Sequence, residues 1–405
     1  MNAKGQNNEK VKINNRASTL ALLLANGPMS RSEIAAALAL TPATVTAICG
    51  EFLKKNLLIQ HSESDSNGRV GRKKSPVEFN CDYKRVLAVN ITPNATDVSI
   101  CDLYGRPQDS LRIATDTGCS PERFLARVAD RCIKLLWNNR LDNAAVLGVG
   151  VTVIGPVNDD DGVSLNAFRV WNGAVPVREI LERELRLPVR VESNVCALAG
   201  ASLLYGEVKE SNFLAVKWGP GVGSASVIDG IVFKGRGWQS AELGHNFVDA
   251  KGEKCRCGKV GCLETKVSLE AIALGLKKLA RAPEAKTLRQ ILKKPTLPEM
   301  DNLSEILAIG HKPLDDFMND LSYRLAVVVN NAMQILVPDK IVLFGDVFRD
   351  DDVFDRFRSH VFAINPLAPE DVFLRSALEE KKNHIGAAAC VVKRLLVDTG
   401  GPQDE

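Results

Sequence analysis

His245, Cys255, Cys257 and Cys262 lie close together in the run Glu242-Leu-Gly-His245-Asn-Phe-Val-Asp-Ala-Lys-Gly-Glu-Lys-Cys255-Arg-Cys257-Gly-Lys-Val-Gly-Cys262-Leu-Glu264. One imidazole and three thiolates make a complete tetrahedral set for zinc, and four protein ligands leave no open position for water. The spacing therefore predicts a structural zinc rather than a catalytic one. Gly258 and Gly261 stand between the thiols, where a loop tight enough to wrap a metal needs unusual backbone angles. The competing reading is a disulfide or thiols that bind nothing. Two acids, Glu242 and Glu264, bracket the cluster.

These residues need a frame to hold them. The chain has 405 residues, 45% of them hydrophobic and 25% charged, which suits a globular protein of several domains. No apolar run is long enough to span a bilayer, and the N-terminal Met1-Asn-Ala-Lys-Gly-Gln-Asn-Asn lacks a signal peptide's pattern. A cytoplasmic protein is expected, with its ten cysteines reduced. Cys49, Cys81, Cys101, Cys119, Cys132, Cys196 and Cys390 are scattered among apolar neighbours and read as small core residues. Charge is uneven. Residues 1–80 hold eleven Lys and Arg against six Asp and Glu, a surplus of five, so the remainder carries −2 of the net +3. A basic N-terminal module on a slightly acidic body suggests an anionic partner for the module alone.

That module reads as three short helices and a hairpin. An apolar helix over residues 17–25 is stopped by Asn26-Gly27-Pro28. Ser30-Arg-Ser-Glu33 is a capping box for a second helix over 34–38, and Thr41-Pro42 supplies the cap and first residue of a third, running to about Lys54. The few residues between helices two and three match a helix-turn-helix. Thr41, Ala43, Thr44 and Thr46 are small or polar. They would let the third helix sit deep in the major groove of double-stranded DNA, hydroxyls against base edges and methyls against thymine. A strand at 57–59, a turn, then Gly68-Arg69-Val70-Gly71-Arg72-Lys73-Lys74 and Val77-Glu-Phe give the winged form. Arg69 and Arg72 suit a narrow minor groove, and Lys73 and Lys74 suit phosphates. The alternative is a three-helix packing unit with a solvated basic loop.

From Arg85 onward the pattern is α/β. Strands are predicted over 86–89, 97–103, 145–154, 189–192, 213–218, 224–228 and 340–344. Helices are predicted over 121–138, 195–204, 268–281 and 314–337, the last being read as core rather than interface. Two α/β halves, each opening with hairpin strands, predict two lobes with ligands at the strand ends.

Glu-Leu-Gly-His245, the Cys-Arg-Cys-Gly…Gly-Cys-Leu-Glu264 run, Val-Ile-Gly155-Pro156-Val and Ile385-Gly-Ala-Ala together resemble the ROK family of sugar kinases and sugar-responsive repressors, over residues 85–397. With residues 1–80 added, the whole chain resembles the repressor branch. The resemblance implies a two-lobed, actin-like (ribonuclease H-like) sugar-kinase body behind a winged helix-turn-helix domain. The expected domains are 1–80, a small lobe of 85–200 with about 385–397, and a large lobe of 201–384 carrying the zinc loop. It also implies a sugar site at Glu242, His245 and Glu264, joined by Glu192 and Asn194 and by Asn166, with His245 serving zinc and sugar together. Asn166 could equally be a loop-capping asparagine, and the two acids could instead support the zinc ligands.

The family's kinase chemistry is eroded. Its Asp-x-Gly-Gly-Thr nucleotide hairpin is matched by Asn90-Ile-Thr92-Pro93-Asn94, where Pro93 has no amide for a phosphate. The Gly-Thr-Gly loop is Gly219-Pro220-Gly221, and the late glycine run reads Phe344-Gly345-Asp346. The kinases' catalytic Asp follows a Glu-Asn; here the run is Glu192-Ser193-Asn194, and an amide is no general base. The sequence thus predicts no catalytic residue. It predicts a sugar-sensing DNA-binding regulator, most simply a repressor, assembled as a homodimer or homotetramer. An active sugar kinase with a DNA module, or control by a protein partner, are the alternatives.

Overall fold

The structure, a computed structural model, describes residues 8–61, 75–239, 241–283, 285–292, 303–378 and 384–402. The chain divides into two units: residues 1–209 with 380–405, and residues 210–379.

The first unit opens with helices α1 (Asn8–Asn26), α2 (Arg31–Leu38) and α3 (Pro42–Lys54) and strands β1 (Leu58–Gln60) and β2 (Val77–Phe79), which pair antiparallel. Helix α1 begins well before the predicted residue 17. Its polar first turns carry no apolar periodicity, and only Arg16, Thr19, Leu20, Leu23 and Leu24 are buried. The capping box forms as predicted: the Ser30 hydroxyl accepts from the Glu33 amide, and the Glu33 carboxylate accepts from the Ser30 amide at 2.9 Å. Ala39, in the left-handed region at φ 51°, ends α2, and Thr41 caps α3, so the inter-helix turn is tight. Val45, Ile48, Cys49 and Phe52 face inward. The wing residues Arg69, Arg72, Lys73 and Lys74 lie outside the described residues.

Behind this module stands a five-stranded sheet of order β5-β4-β3-β6-β9. Its strands are β3 (Arg85–Ile91), β4 (Ala95–Cys101), β5 (Pro107–Ala114), β6 (Val146–Val153) and β9 (Val189–Ser193); the short hairpin β7 (Val157–Asn158) and β8 (Val163–Ser164) lies between the last two. Strands β3, β4 and β5 form an antiparallel meander, and β3, β6 and β9 run parallel. Alternation in Val-Leu-Gly148-Val-Gly150-Val-Thr-Val sets the two faces of β6. Val149, Val151 and Val153 join the core beneath α4 (Pro121–Asn138) and α5 (Val177–Leu185). The glycine face lets another helix press flat on the sheet. This is α14 (His384–Val392), continued by a π-turn over Lys393–Val397. A side chain at Gly150 would collide with the Ala387 carbonyl. Helix α6 (Asn194–Leu204) packs on α14, with Gly386 against Ala197 and Leu198.

The second unit repeats the strand order as β12-β11-β10-β13-β14. Its strands are β10 (Phe213–Trp218), β11 (Val222–Ile228), β12 (Ile231–Val232), β13 (Lys340–Phe344) and β14 (Phe373–Arg375). Again the first three are antiparallel and the last two extend the first in parallel. Helices α7 (Glu264–Val267), α8 (Leu269–Leu279), α9 (Lys286–Leu292), α10 (Leu303–Leu307), α11 (Lys312–Leu336), α12 (Asp346–Arg349) and α13 (Asp351–Ile364) complete it. One face of α11 (Leu314, Met318, Leu321, Leu325, Val329) is core, as read from sequence, while Ile335 and Val337 at its end are exposed. Both units thus have the five-strand order expected of a ribonuclease H-like body, and the first also carries the N-terminal helical module. Of the seven cysteines read as core, Cys49, Cys101 and Cys132 are buried. Cys81, Cys119, Cys196 and Cys390 are only half-buried, because they sit at element ends and on helix flanks.

Candidate metal centre and ligand-facing residues

The sequence between His245 and Cys262 folds back on itself through backbone bonds. The Cys255 amide donates to Lys259 O at 2.7 Å, Gly258 N to Cys255 O at 3.0 Å, and Gly261 N to Glu253 O at 3.0 Å. Gly258 (φ 91°) and Gly261 (φ 75°) take the left-handed angles that the sequence suggested, and a side chain at Gly261 would strike the Asp249 carbonyl. The donor atoms of His245, Cys255, Cys257 and Cys262 converge: all four lie within 4.8 Å of one another. Cys255 Sγ is 3.6 Å from His245 Nδ1, and Cys257 Sγ is 3.6 Å from Cys262 Sγ. Tetrahedral zinc with ordinary bond lengths sets sulfur–sulfur edges of about 3.8 Å and sulfur–nitrogen edges of about 3.5 Å. The donor set therefore fits a metal, and none of the ten cysteines forms a disulfide. Burial pushes the Cys262 thiol up to about 12 and raises Cys255 as well. A divalent cation supplies the charge that reverses this and holds thiolates.

Using Nδ1 on the thiol side leaves Nε2 facing outward, 3.9 Å from the Glu242 carboxylate. Burial raises the Glu242 carboxyl above its ordinary range; the His245 ring opposes the shift and neighbouring Glu264 adds to it. Glu264, the first residue of α7, lies against the turn between β10 and β11. Its Oε2 is 3.4 Å from the Val222 amide, and a side-chain carbon on Gly221 would come within 2.6 Å of the same oxygen. Glu242, His245 and Glu264 are thus brought together beside the metal loop.

The sequence-predicted residues of the first unit sit at the ends of its parallel strands. Glu192 accepts from the Ser193 amide at 2.8 Å and lies within electrostatic reach of Arg394. Ser193 caps α6 by accepting from Cys196 N, which makes Asn194 the first residue of that helix, half-exposed. Asn166 packs its carbonyl against Gly155 (φ 96°), while its buried Oδ1 accepts no hydrogen bond among the described residues.

The segments that match the kinases' nucleotide loops make their own internal contacts. The Thr152 hydroxyl donates to Asn90 Oδ1 at 2.9 Å, with both residues buried. Thr92 and Ala95 exchange backbone and hydroxyl bonds across Pro93 and Asn94. Gly219 N donates to Gly221 O at 3.0 Å. Gly345 (φ 101°) serves close packing on the Trp218 carbonyl, and Asp346 pairs with Arg349 at 2.8 Å. Sequence reasoning missed that Gly221 makes room for Glu264. A glycine kept in a loop whose hydroxyl is gone was the available signal.

In the N-terminal module, Ala43, Thr46 and Ala47 lie on the exposed face of α3. Thr41 and Thr44 are exposed or half-exposed but bond each other at 2.8 Å, and the Thr46 hydroxyl donates to Pro42 O at 2.7 Å. The Thr46 proton and one proton of the Thr41–Thr44 pair thus stay within the helix.

Comparison with known proteins agrees with this architecture. The ROK family profile matches residues 120–394. The xylose repressor of Bacillus subtilis (strain 168) is 22% identical over 391 residues, covering 95% of this chain and 97% of its own. A ROK family transcriptional regulator described as a homolog of the Escherichia coli MLC protein superposes with a TM-score of 0.76 at 21% identity, covering 96% of this chain and 97% of its own. A ROK family glucokinase from Streptomyces griseus, solved with glucose and AMPPNP, gives 0.64 at 22% identity, over 76% of this chain and 98% of its own. Because the family profile spans well over half of its length, the chain belongs to the ROK family.

Proposed function

We propose that this chain is a sugar-responsive, DNA-binding transcriptional regulator, acting as a repressor, that does not phosphorylate its sugar. The observation that carries the second half is Asn194. An amide stands at the start of α6 where the kinases place their catalytic Asp, and it cannot take a proton from a hydroxyl. The closed turn at Thr92-Pro93-Asn94-Ala95 withholds amides from a phosphate. The first half is supported by the capped helix-turn-helix and by relatives named as repressors.

The metal is zinc, held by His245, Cys255, Cys257 and Cys262. Bound zinc supplies positive charge that keeps the thiols ionised and the loop closed. His245 Nδ1 belongs to the metal, so Nε2 carries the proton and is held near Glu242 as a donor for a sugar oxygen. Glu242 and Glu264 accept from sugar hydroxyls. Asn166, with its unsatisfied Oδ1, Glu192 and Asn194 are further sugar contacts. In the DNA module Thr41, Ala43, Thr44 and Thr46 face the major groove, while Arg69, Arg72, Lys73 and Lys74 contact the minor groove and phosphates. The regulator acts in the cytoplasm as a homodimer or homotetramer, since two modules must match two half-sites. No described helix is long and apolar enough to cross a membrane.

Fluorescence anisotropy on DNA from the chain's own promoter region, with and without a panel of pentoses and hexoses, tests this. Expected are tight binding that one sugar class weakens and no sugar phosphate from labelled ATP. Stoichiometric sugar phosphate would establish instead the kinase reading that the fold likeness to the glucokinase keeps open. DNA binding that no sugar moves would point to a protein partner as the effector.

A further inference from the structure

Arg16 is a buried cation of α1, and only 6% of its surface is exposed. Its guanidinium is used on every side. Nε donates to Gly400 O at 2.5 Å, Nη2 to Pro402 O at 3.2 Å, and Nη1 to the Glu51 carboxylate at 2.5 Å. Its plane lies over the Phe52 ring, 5.0 Å from the centroid. Lys55 adds a bond to Pro402 O at 2.9 Å. Glu51 and Phe52 belong to α3, and Lys55 is its C-cap, so contacts over about one turn join Arg16 and residues 400–402 to the C-terminal end of the helix proposed to read DNA.

The backbone is shaped for this seat. Gly400 and Gly401 have φ of 73° and 87°, and their amides close the π-turn on Val397 O and Leu396 O. A side chain on Gly401 would press on the Phe52 ring, and one on Gly400 on the Ile13 carbonyl. Upstream, the same segment is α14, flush against Gly150 of β6 and packed through Gly386 on α6, whose first residue is Asn194. At the far end of α6, Gly206 has no room for a side chain because Ala25 of α1 lies against it.

We infer that residues 400–402 and Arg16 form a strap that sets the placement of α3 against the sensor sheet, and that Arg16 is its positioning residue. A shift of α6 at its Asn194 end must move α14, since neither glycine contact has slack. The strap then carries that shift to Glu51 and Phe52. This rests on the DNA-binding reading above for its consequence, but not for its geometry.

The test uses the full chain, a form ending at Pro402, a form ending at Thr399, Arg16→Lys, Arg16→Met and Gly401→Ala. Affinity for promoter DNA is measured with and without xylose and glucose as probes, alongside zinc content, thermal melting and amide hydrogen exchange. The form ending at Pro402 should match the full chain. The form ending at Thr399 and Arg16→Met should keep zinc and the sensor melt, lose roughly tenfold in DNA affinity, and lose the difference between sugar-free and sugar-bound affinity. Arg16→Lys, keeping the charge but not the three-way bonding, should fall between. Amides of residues 51–55 should exchange faster while those of β3 and β6 stay protected. If the form ending at Thr399 does not fold, Gly401→Ala, which lifts the strap while removing no charge, decides on the same readouts. Unchanged DNA affinity, sugar response and exchange in these variants overturns the strap. A full-length chain that binds no DNA overturns the regulator reading instead, and the exchange comparison still judges the strap.

Discussion

At the scale of single residues, the metal loop asks two things of one histidine. Its Nδ1 lies among thiols and its Nε2 faces Glu242, so the proposed metal and sugar functions separate by atom. Cys257→Ser should drop zinc from one per chain to near zero by elemental analysis and open the loop to protease. Glu242→Gln should leave zinc in place yet weaken sugar binding by about tenfold in calorimetry, the usual cost of one charged hydrogen bond to a ligand. Gly221→Val should act like Glu242→Gln on sugar binding, because a branched side chain there displaces the Glu264 carboxylate.

At the scale of elements, end signals were the most readable part of the sequence. Ser30 and Thr41 cap the helices they were placed to cap, Ser120 caps α4, and proline opens α3 and α4. Thr41→Ala should cost about 1 kcal/mol of module stability in urea titration. Gly150→Ala should cost more, about 1–3 kcal/mol, because α14 has to be lifted off β6. The strands with continuous apolar runs (β3, β6, β10, β13) were equally legible. Strand β5 was not, since an edge strand with one solvated side, Pro-Gln-Asp-Ser-Leu-Arg-Ile-Ala, carries little apolar signal. Helix α13 escaped for the same reason, its Asp- and Arg-rich face masking Val353, Phe357 and Val361. Of the site, the ligand types and loop glycines could be read directly. The role of Gly221 and the enclosure of Arg16 required three dimensions, because each depends on a partner distant in sequence.

At the scale of the molecule, charge separates the two proposed tasks. The basic surplus lies in residues 1–80, so binding to DNA should fall steeply between low and high salt, with a log–log slope of several units, while sugar binding stays nearly flat. A DNA affinity indifferent to salt would count against the module's assignment. The first unit is also discontinuous. Its sheet is built from residues before 210, yet the helix that covers the glycine face of β6 comes from beyond residue 380. During synthesis, the ribosome therefore delivers the entire second unit before the first can close. The nascent first unit waits with Gly148 and Gly150 uncovered and α3 unstrapped, while the second, an unbroken stretch, is free to fold ahead of it. Chains truncated near residue 379 should accordingly show a protease-resistant second unit and a first unit still cleavable at β6.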